Sequence, residues 1–177
     1  AKSNDSVTIT PGQHTIIGIS TPQGELEFRM KGVNPEADRL KIIVRQKGDM
    51  KTLNVQNFSE IQKYIVGKYD LEILTLPRTY INDVEVSQSH TTTIEIPQPG
   101  VATFSKLGHG YGFVYVWKNN QMELVATLSK TQERETLNLM PGDYIAVFKP
   151  LRARESIFTV EKEFKVISGA SVAIKLN

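Results

Sequence analysis

The side chains able to do chemistry are few. There are three histidines, His14, His90 and His109, and no cysteine in the chain. A zinc-type site needs three or four convergent ligands, and these histidines share no such spacing. No serine sits in a nucleophile-elbow sequence, no glycine-rich loop opens a helix for phosphate, and no acidic loop has a calcium-binding pattern. The carboxylates Asp70, Glu72 and Asp143 alternate with apolar residues, the pattern of a solvated strand face. Catalysis, a cofactor and a metal are therefore not expected.

Aromatic side chains offer a different chemistry. Tyr111, Phe113, Tyr115 and Trp117 alternate with Gly112, Val114, Val116 and Lys118, so on a strand all four rings point to one face. Flat rings stack on sugars or bases, or fill a core. Superposing the turn Gly48-Asp49 on Asn119-Asn120 places Tyr111, Phe113 and Tyr115 over Leu40, Ile42 and Val44, opposite Lys41 and Arg45. That alignment predicts a buried stripe with Trp117 at its rim. Val114 and Val116 complicate it, because they make the other face apolar too.

A basic run supplies the remaining candidates. Arg29, Lys31, Arg39, Lys41, Arg45, Lys47 and Lys51 outnumber Glu36, Asp38 and Asp49 by four charges. They are expected to be a solvated strand face that guards against edge pairing, with docking of an acidic partner as the functional alternative. Trp117, Lys41 and Arg45 are the residues expected to contact a ligand or partner. Lys47-Gly48-Asp49 resembles an adhesion tripeptide but reads as a hairpin turn, where glycine adopts positive φ cheaply.

These residues must be positioned by strands. The chain is 40% hydrophobic and 23% charged with a formal net charge of +2 and a sequence pI near 8.8. That composition excludes a disordered tail and is too mild for a nucleic-acid binder. No apolar run reaches the length of a membrane span. The chain begins at Ala1, which reads as processing or excision from something longer.

Internal repeats organise the sequence. Ile9 to Ile19, Val86 to Ile96 and Val166 to Leu176 align without gaps as three hairpins. Gly24 matches Gly100, and Gly67-Lys68-Tyr69 matches Gly142-Asp143-Tyr144. The expectation is an all-β fold: two tandem small antiparallel β-sandwiches, Ig-like or transthyretin-like, preceded by a hairpin. The divisions are 1–20 for the leading hairpin, 21–97 for the first sandwich and 98–177 for the second. Strands are expected at Gly24–Met30, Leu40–Gln46, Tyr69–Thr75 and Val84–Val86. In the second unit they fall at Gly100–Ser105, Tyr111–Lys118, Glu123–Leu128, Thr136–Leu139, Tyr144–Lys149 and Ile157–Val160. The segment Asn57 to Val66 also admits a helical turn, since Ser59 and Gln62 form a weak capping box.

Unit two, with Leu139-Met140-Pro141-Gly142-Asp143-Tyr144-Ile145-Ala146-Val147 and a closing Phe164-Lys165-Val166-x-x-Gly169, resembles the small bacterial surface repeats called PEGA domains. It resembles transthyretin-like sandwiches more loosely. Unit one has Val66 where that pattern has proline, and neither unit has the Pro-Glu-Gly-Ala motif. The run from Gly67 to Ile73, followed by Asp83-Val84-Glu85-Val86 and Thr91-Thr92-Thr93, is similar to segments that follow the von Willebrand factor A domain in bacterial envelope proteins. The resemblance implies a non-catalytic accessory module in the periplasm or at the cell surface, acting as a spacer or protein–protein contact unit. Other domains of the same chain are among the protein partners it allows. The alternative is a glycan-binding module built on exposed aromatics around Trp117. Neither nucleic acid nor a membrane span is expected.

Overall fold

A computed structural model describes residues 11–12, 14, 21–32, 39–151 and 159–177. The leading hairpin expected before residue 21 lies outside the described residues but for three positions. Among the described residues there are fourteen strands. In the first unit they are β1 (Gln23–Lys31), β2 (Lys41–Gln46), β3 (Thr52–Asn57), β4 (Gln62–Ile65), β5 (Gly67–Ile73), β6 (Thr79–Val86) and β7 (Thr91–Pro97). In the second they are β8 (Gly100–Lys106), β9 (Gly110–Lys118), β10 (Gln121–Leu128), β11 (Arg134–Leu139), β12 (Gly142–Pro150), β13 (Val160–Val166) and β14 (Ser171–Leu176).

The two sets have one topology. Sheets β4-β1-β7 and β3-β2-β5-β6 enclose the first core, and sheets β11-β8-β14 and β10-β9-β12-β13 enclose the second. The chain is an all-β protein of tandem sandwiches. One detail departs from a purely antiparallel fold: β1 runs parallel to β7 and β8 parallel to β14. The first and last strands of each unit thus close the three-stranded sheet side by side. The segment after Asn57 forms a two-residue turn and then β4 rather than a helical turn. Tyr64 explains this, because it buries its ring beside Tyr69 with centroids 5.4 Å apart, which an extended backbone allows. Of the strand expected at Ile157–Val160, residues 157 and 158 lie outside the described residues, and β13 includes Val160.

Equivalent residues do equivalent work in the two units. Tyr69 and Tyr144 are both buried just inside a strand, and each hydroxyl donates to the backbone carbonyl four residues upstream, Ile65 and Met140 respectively, at 2.6 Å. This is the tyrosine-corner arrangement seen in sandwiches. Gly24 and Gly100 each lie against the closing hairpin, where a Cβ would strike the Ser87 and His90 carbonyls in one unit and the Ile167 and Ala170 carbonyls in the other. Their successors, Glu25 and Val101, donate to His90 and Ala170, both at 2.8 Å.

Burial alternates along β2 and β9, whereas β5 and β12 each bury three residues in succession. In β2, Ile42 and Val44 are buried while Lys41 is exposed. In β9 the buried residues are Gly110, Gly112, Val114 and Val116, and the four rings point outward. The expected core stripe of Tyr111, Phe113 and Tyr115 is therefore inverted. The interior explains why: Phe104, Leu128, Tyr144 and Phe148 fill it, and a Cβ on Gly112 would already meet the Leu128 side chain at 2.9 Å. Rings on that side of β9 would overpack the core.

The inversion traces to the turns used for the superposition. Val44 pairs with Leu71 in β5, and Val114 pairs with Ala146 in β12. Taking Tyr69 and Tyr144 as equivalent makes Val44 the counterpart of Val114. Aligning the turns instead shifts the strand by one residue, which exchanges its faces. The β2–β3 connection is longer than the two-residue Asn119-Asn120 turn and follows a bulge at Val44 and Arg45. Both asparagines have positive φ, as a tight hairpin requires.

Candidate functional site

The outer face of sheet β10-β9-β12-β13 is the feature that the fold itself does not require. Its centre is the ring row of β9. Tyr115 lies between Leu124 of β10 and Ile145 of β12, Phe113 between Thr127 and Val147, and Trp117 opposite Met122. Trp117 is 49% and Tyr111 42% exposed, with Met122 and Leu124 also open to solvent. Phe113 and Tyr115 are half-buried, their centroids 6.5 Å apart and tilted by 42°. The Lys130 ammonium sits over the Tyr111 ring, 4.5 Å from its centroid, within the range of a cation–π contact. Beside Trp117 runs a groove of about 340 Å³ lined by Asp143, Glu163, Phe164 and Lys165. An ion pair of 3.6 Å joins Asp143 and Lys165 across it.

The topologically equivalent face of unit one is charged along β2 and β5, with Ile43 and the exposed Val55 and Tyr80 beside the charges. Counting from the paired tyrosines, Tyr111, Phe113, Tyr115 and Trp117 correspond to Lys41, Ile43, Arg45 and Lys47, and Ile145 and Val147 correspond to Asp70 and Glu72. Arg45 donates to Glu72 at 2.7 Å, and Arg78 binds the second carboxylate oxygen. These hydrogen bonds hold the nearly buried Glu72 carboxyl below its ordinary range against the opposing effect of burial. Lys47 binds Asp83, whose carboxyl is lowered by that bond, and Asp70 accepts from the Gly48 and Asp83 amides at 3.0 Å. This closes the Lys47-Gly48-Asp49 segment as a turn, with Gly48 at φ 74°.

Trp117 on the one hand and Lys41 and Arg45 on the other thus lie on topologically equivalent faces of two different sheets, one in each unit. Lys41 is exposed, whereas Arg45 is committed to Glu72. The basic run of the sequence does not form one patch. Arg29 and Lys31 stand on the outer face of β1, paired with Glu27 at 3.1 Å and Glu95 at 3.3 Å, while Lys41 and Arg45 stand on the opposite side of the sandwich. Alternation along two strands in different sheets divides what is contiguous in sequence.

Two further features escaped the sequence reading. Lys106 is buried at the end of β8, donates to the Ser129 carbonyl and lies 5.8 Å from the Phe148 centroid. Burial lowers its pKa, opposed by the Glu135 charge. The second is the joint between units. Leu76 packs against the second core, its carbonyl accepts the Met140 amide at 2.7 Å, and Lys118 lies over the Tyr80 ring at 5.8 Å. A Pro-Gly connection gives no hint of either in sequence; a leucine in the β5–β6 loop was the available signal.

His90 is exposed and contacts the Gln88 carbonyl through Nδ1 at 2.8 Å, and His109 is exposed in the β8–β9 loop. Among the described residues, no group of three or more His, Asp or Glu side chains could hold a metal ion. Among them, too, no helix is long and apolar enough to cross a membrane.

Among the described residues, fold and site define two tandem β-sandwiches of seven strands each, one of them with an aromatic sheet face. No known protein family matches the sequence, and no curated protein does. Solved structures with a similar chain path include the minor pilin GBS52 of Streptococcus agalactiae, 12% identical over 86% of this chain and 94% of that one, with a TM-score of 0.43. The Bacillus anthracis TIE protein is 14% identical over 88% of this chain, with a TM-score of 0.38. The pilus adhesin SpaC of Lactobacillus rhamnosus GG is 12% identical over 84%, with a TM-score of 0.27. The chain spans 34% of the TIE structure and 26% of the SpaC structure.

Proposed function

We propose that this chain is a non-catalytic contact module of a bacterial envelope or surface protein, in the periplasm or at the cell surface. It binds a protein partner through the outer face of β10-β9-β12-β13. One observation carries the reading: duplicate units share a topology, yet the strand whose outer side carries Lys41, Arg45 and Lys47 in one carries Tyr111, Tyr115 and Trp117 in the other. Folding does not demand that difference, because unit one folds without it. Clustered exposed rings and aliphatic side chains mark interaction surfaces, and Trp and Tyr are the residues most often dominant in them. The proposal includes kinship with PEGA-like repeats, division at residues 21–97 and 98–177, and partner contact at Trp117, with Lys41 and Arg45 on the adjoining unit.

A glycan partner is the second reading, favoured by the Trp117 groove with Asp143 and Glu163 as hydroxyl acceptors. The protein reading is preferred because the strand neighbours of Tyr115 are the aliphatic Leu124 and Ile145, Val147 adjoins Phe113 and Met122 stands opposite Trp117. The test compares the wild-type chain with a Trp117→Ala, Leu124→Ser double variant on a panel of envelope and matrix proteins and on a glycan array. Binding to a protein that the double variant loses while staying folded supports the proposal. Loss of array binding on Trp117→Ala alone selects the glycan reading. Ligands held equally by both chains refute this face as the contact.

A further inference from the structure

The joint between the units is a plug in a socket. The plug is the β5–β6 loop, where Leu76 packs against unit two and offers its carbonyl to the Met140 amide. The socket is the corner between β11 and β12, where Met140 is 7% exposed. Both parts occur a second time. Ile65 is the counterpart of Met140, since each accepts the tyrosine-corner hydroxyl. The Val66 amide bonds the Pro22 carbonyl, so the alternation of an antiparallel ladder turns the Ile65 amide away from β1. That is the direction in which the Met140 amide meets Leu76. Yet Ile65 is 53% exposed and opens on a groove of about 500 Å³, lined also by Leu53, Lys63 and Val66.

The plug also has its counterpart. Leu76 follows Tyr69 by the same interval at which Leu151 follows Tyr144. Leu151 is 51% exposed, its amide tied to the His109 carbonyl at 3.0 Å. Among the described residues, unit one therefore carries an open socket and unit two an unused plug.

We propose that Leu151 of one chain enters the Ile65–Val66 corner of a second copy, stacking chains head to tail. A second copy is the occupant because the same pair of parts already closes once inside every chain. Each contact leaves one plug and one socket free, so the contact is heterologous and extends into rings or open stacks. Inside the chain, Gln98-Pro99 alone connects β7 to β8 and holds plug to socket at high effective concentration. Between chains that help is absent, and association is expected at about 0.1–1 mM protein. The aromatic face takes no part.

Sedimentation velocity and small-angle scattering on the whole chain from about 10 μM to 1 mM test this. The expected result is mass rising with concentration beyond a dimer. Ile65→Asp and Leu151→Asp should each abolish the rise without lowering the melting midpoint, because both side chains are exposed. An equimolar mixture of the two variants should re-form a dimer and nothing larger, since one intact plug then meets one intact socket. A monomer throughout the range overturns the proposal, as does a mixture that stays monomeric. Association that survives both variants but is lost with Trp117→Ala assigns self-contact to the aromatic face instead.

Discussion

Replacing Tyr144 by phenylalanine removes one oxygen from a ring that is 1% exposed and stacked on Phe164 at 5.4 Å. The ring volume is kept, so the change isolates the hydroxyl bond to the Met140 carbonyl. A net hydrogen bond of about 1 kcal/mol, plus the cost of leaving a buried carbonyl without its donor, puts the loss at about 1–2.5 kcal/mol. Tyr144→Ala also removes the ring and should cost about 3–5 kcal/mol. For a unit of this size the phenylalanine variant should melt roughly 5–15 °C lower. Trp117, the one tryptophan, sits in the same unit and reports its unfolding by fluorescence during urea titration. Burial also raises the phenol pKa in the folded state. The sign follows from proton binding: the unfolded phenol ionises first, so this stabilisation is complete below about pH 10 and declines as pH rises further. Tyr144→Phe should flatten that alkaline decline. A loss below about 0.5 kcal/mol, with the alkaline limb unchanged, would refute the reasoning. Tyr80→Phe, on an exposed ring, serves as the control.

Glu72→Gln should destabilise unit one by about 1–3 kcal/mol, less than breaking a fully buried pair because the Arg78 side chain is 59% exposed. Its carboxyl is lowered in the folded chain, so the wild type should lose this contribution as pH falls below the ordinary glutamate range, and an acid titration of the variant should lack that step. Gly112→Val should cost about 1–3 kcal/mol by forcing apart β9 and Leu128, measured by urea unfolding. Lys106 should be the slowest lysine to acetylate in the folded chain, with Lys41 and Lys63 fast, as read by mass spectrometry; early labelling of Lys106 would contradict its burial.

Some of this architecture was legible in the residue order because backbone geometry demands particular residues. Gly24 and Gly100 are matched since each abuts a closing hairpin where a side chain has no room, and Tyr69 and Tyr144 are matched since each ties its own corner. The hairpins themselves show in local alternation and turn chemistry, with Ser89 and Gly169 both at positive φ. What a strand buries is a matter of parity, and parity along β9 depends on a turn whose length differs between the units. Both of its faces are apolar, so composition could not choose between Tyr111, Phe113 and Tyr115 on one side and Val114 and Val116 on the other. The volume already filled by Leu128, Tyr144 and Phe148 made the choice. The basic run likewise divides only when β1 and β2 enter opposite sheets. Leu76, Met140, Ile65 and Leu151 are ordinary apolar residues in sequence; which of them is covered depends on how the units meet, and that is settled by contacts between residues far apart in the chain.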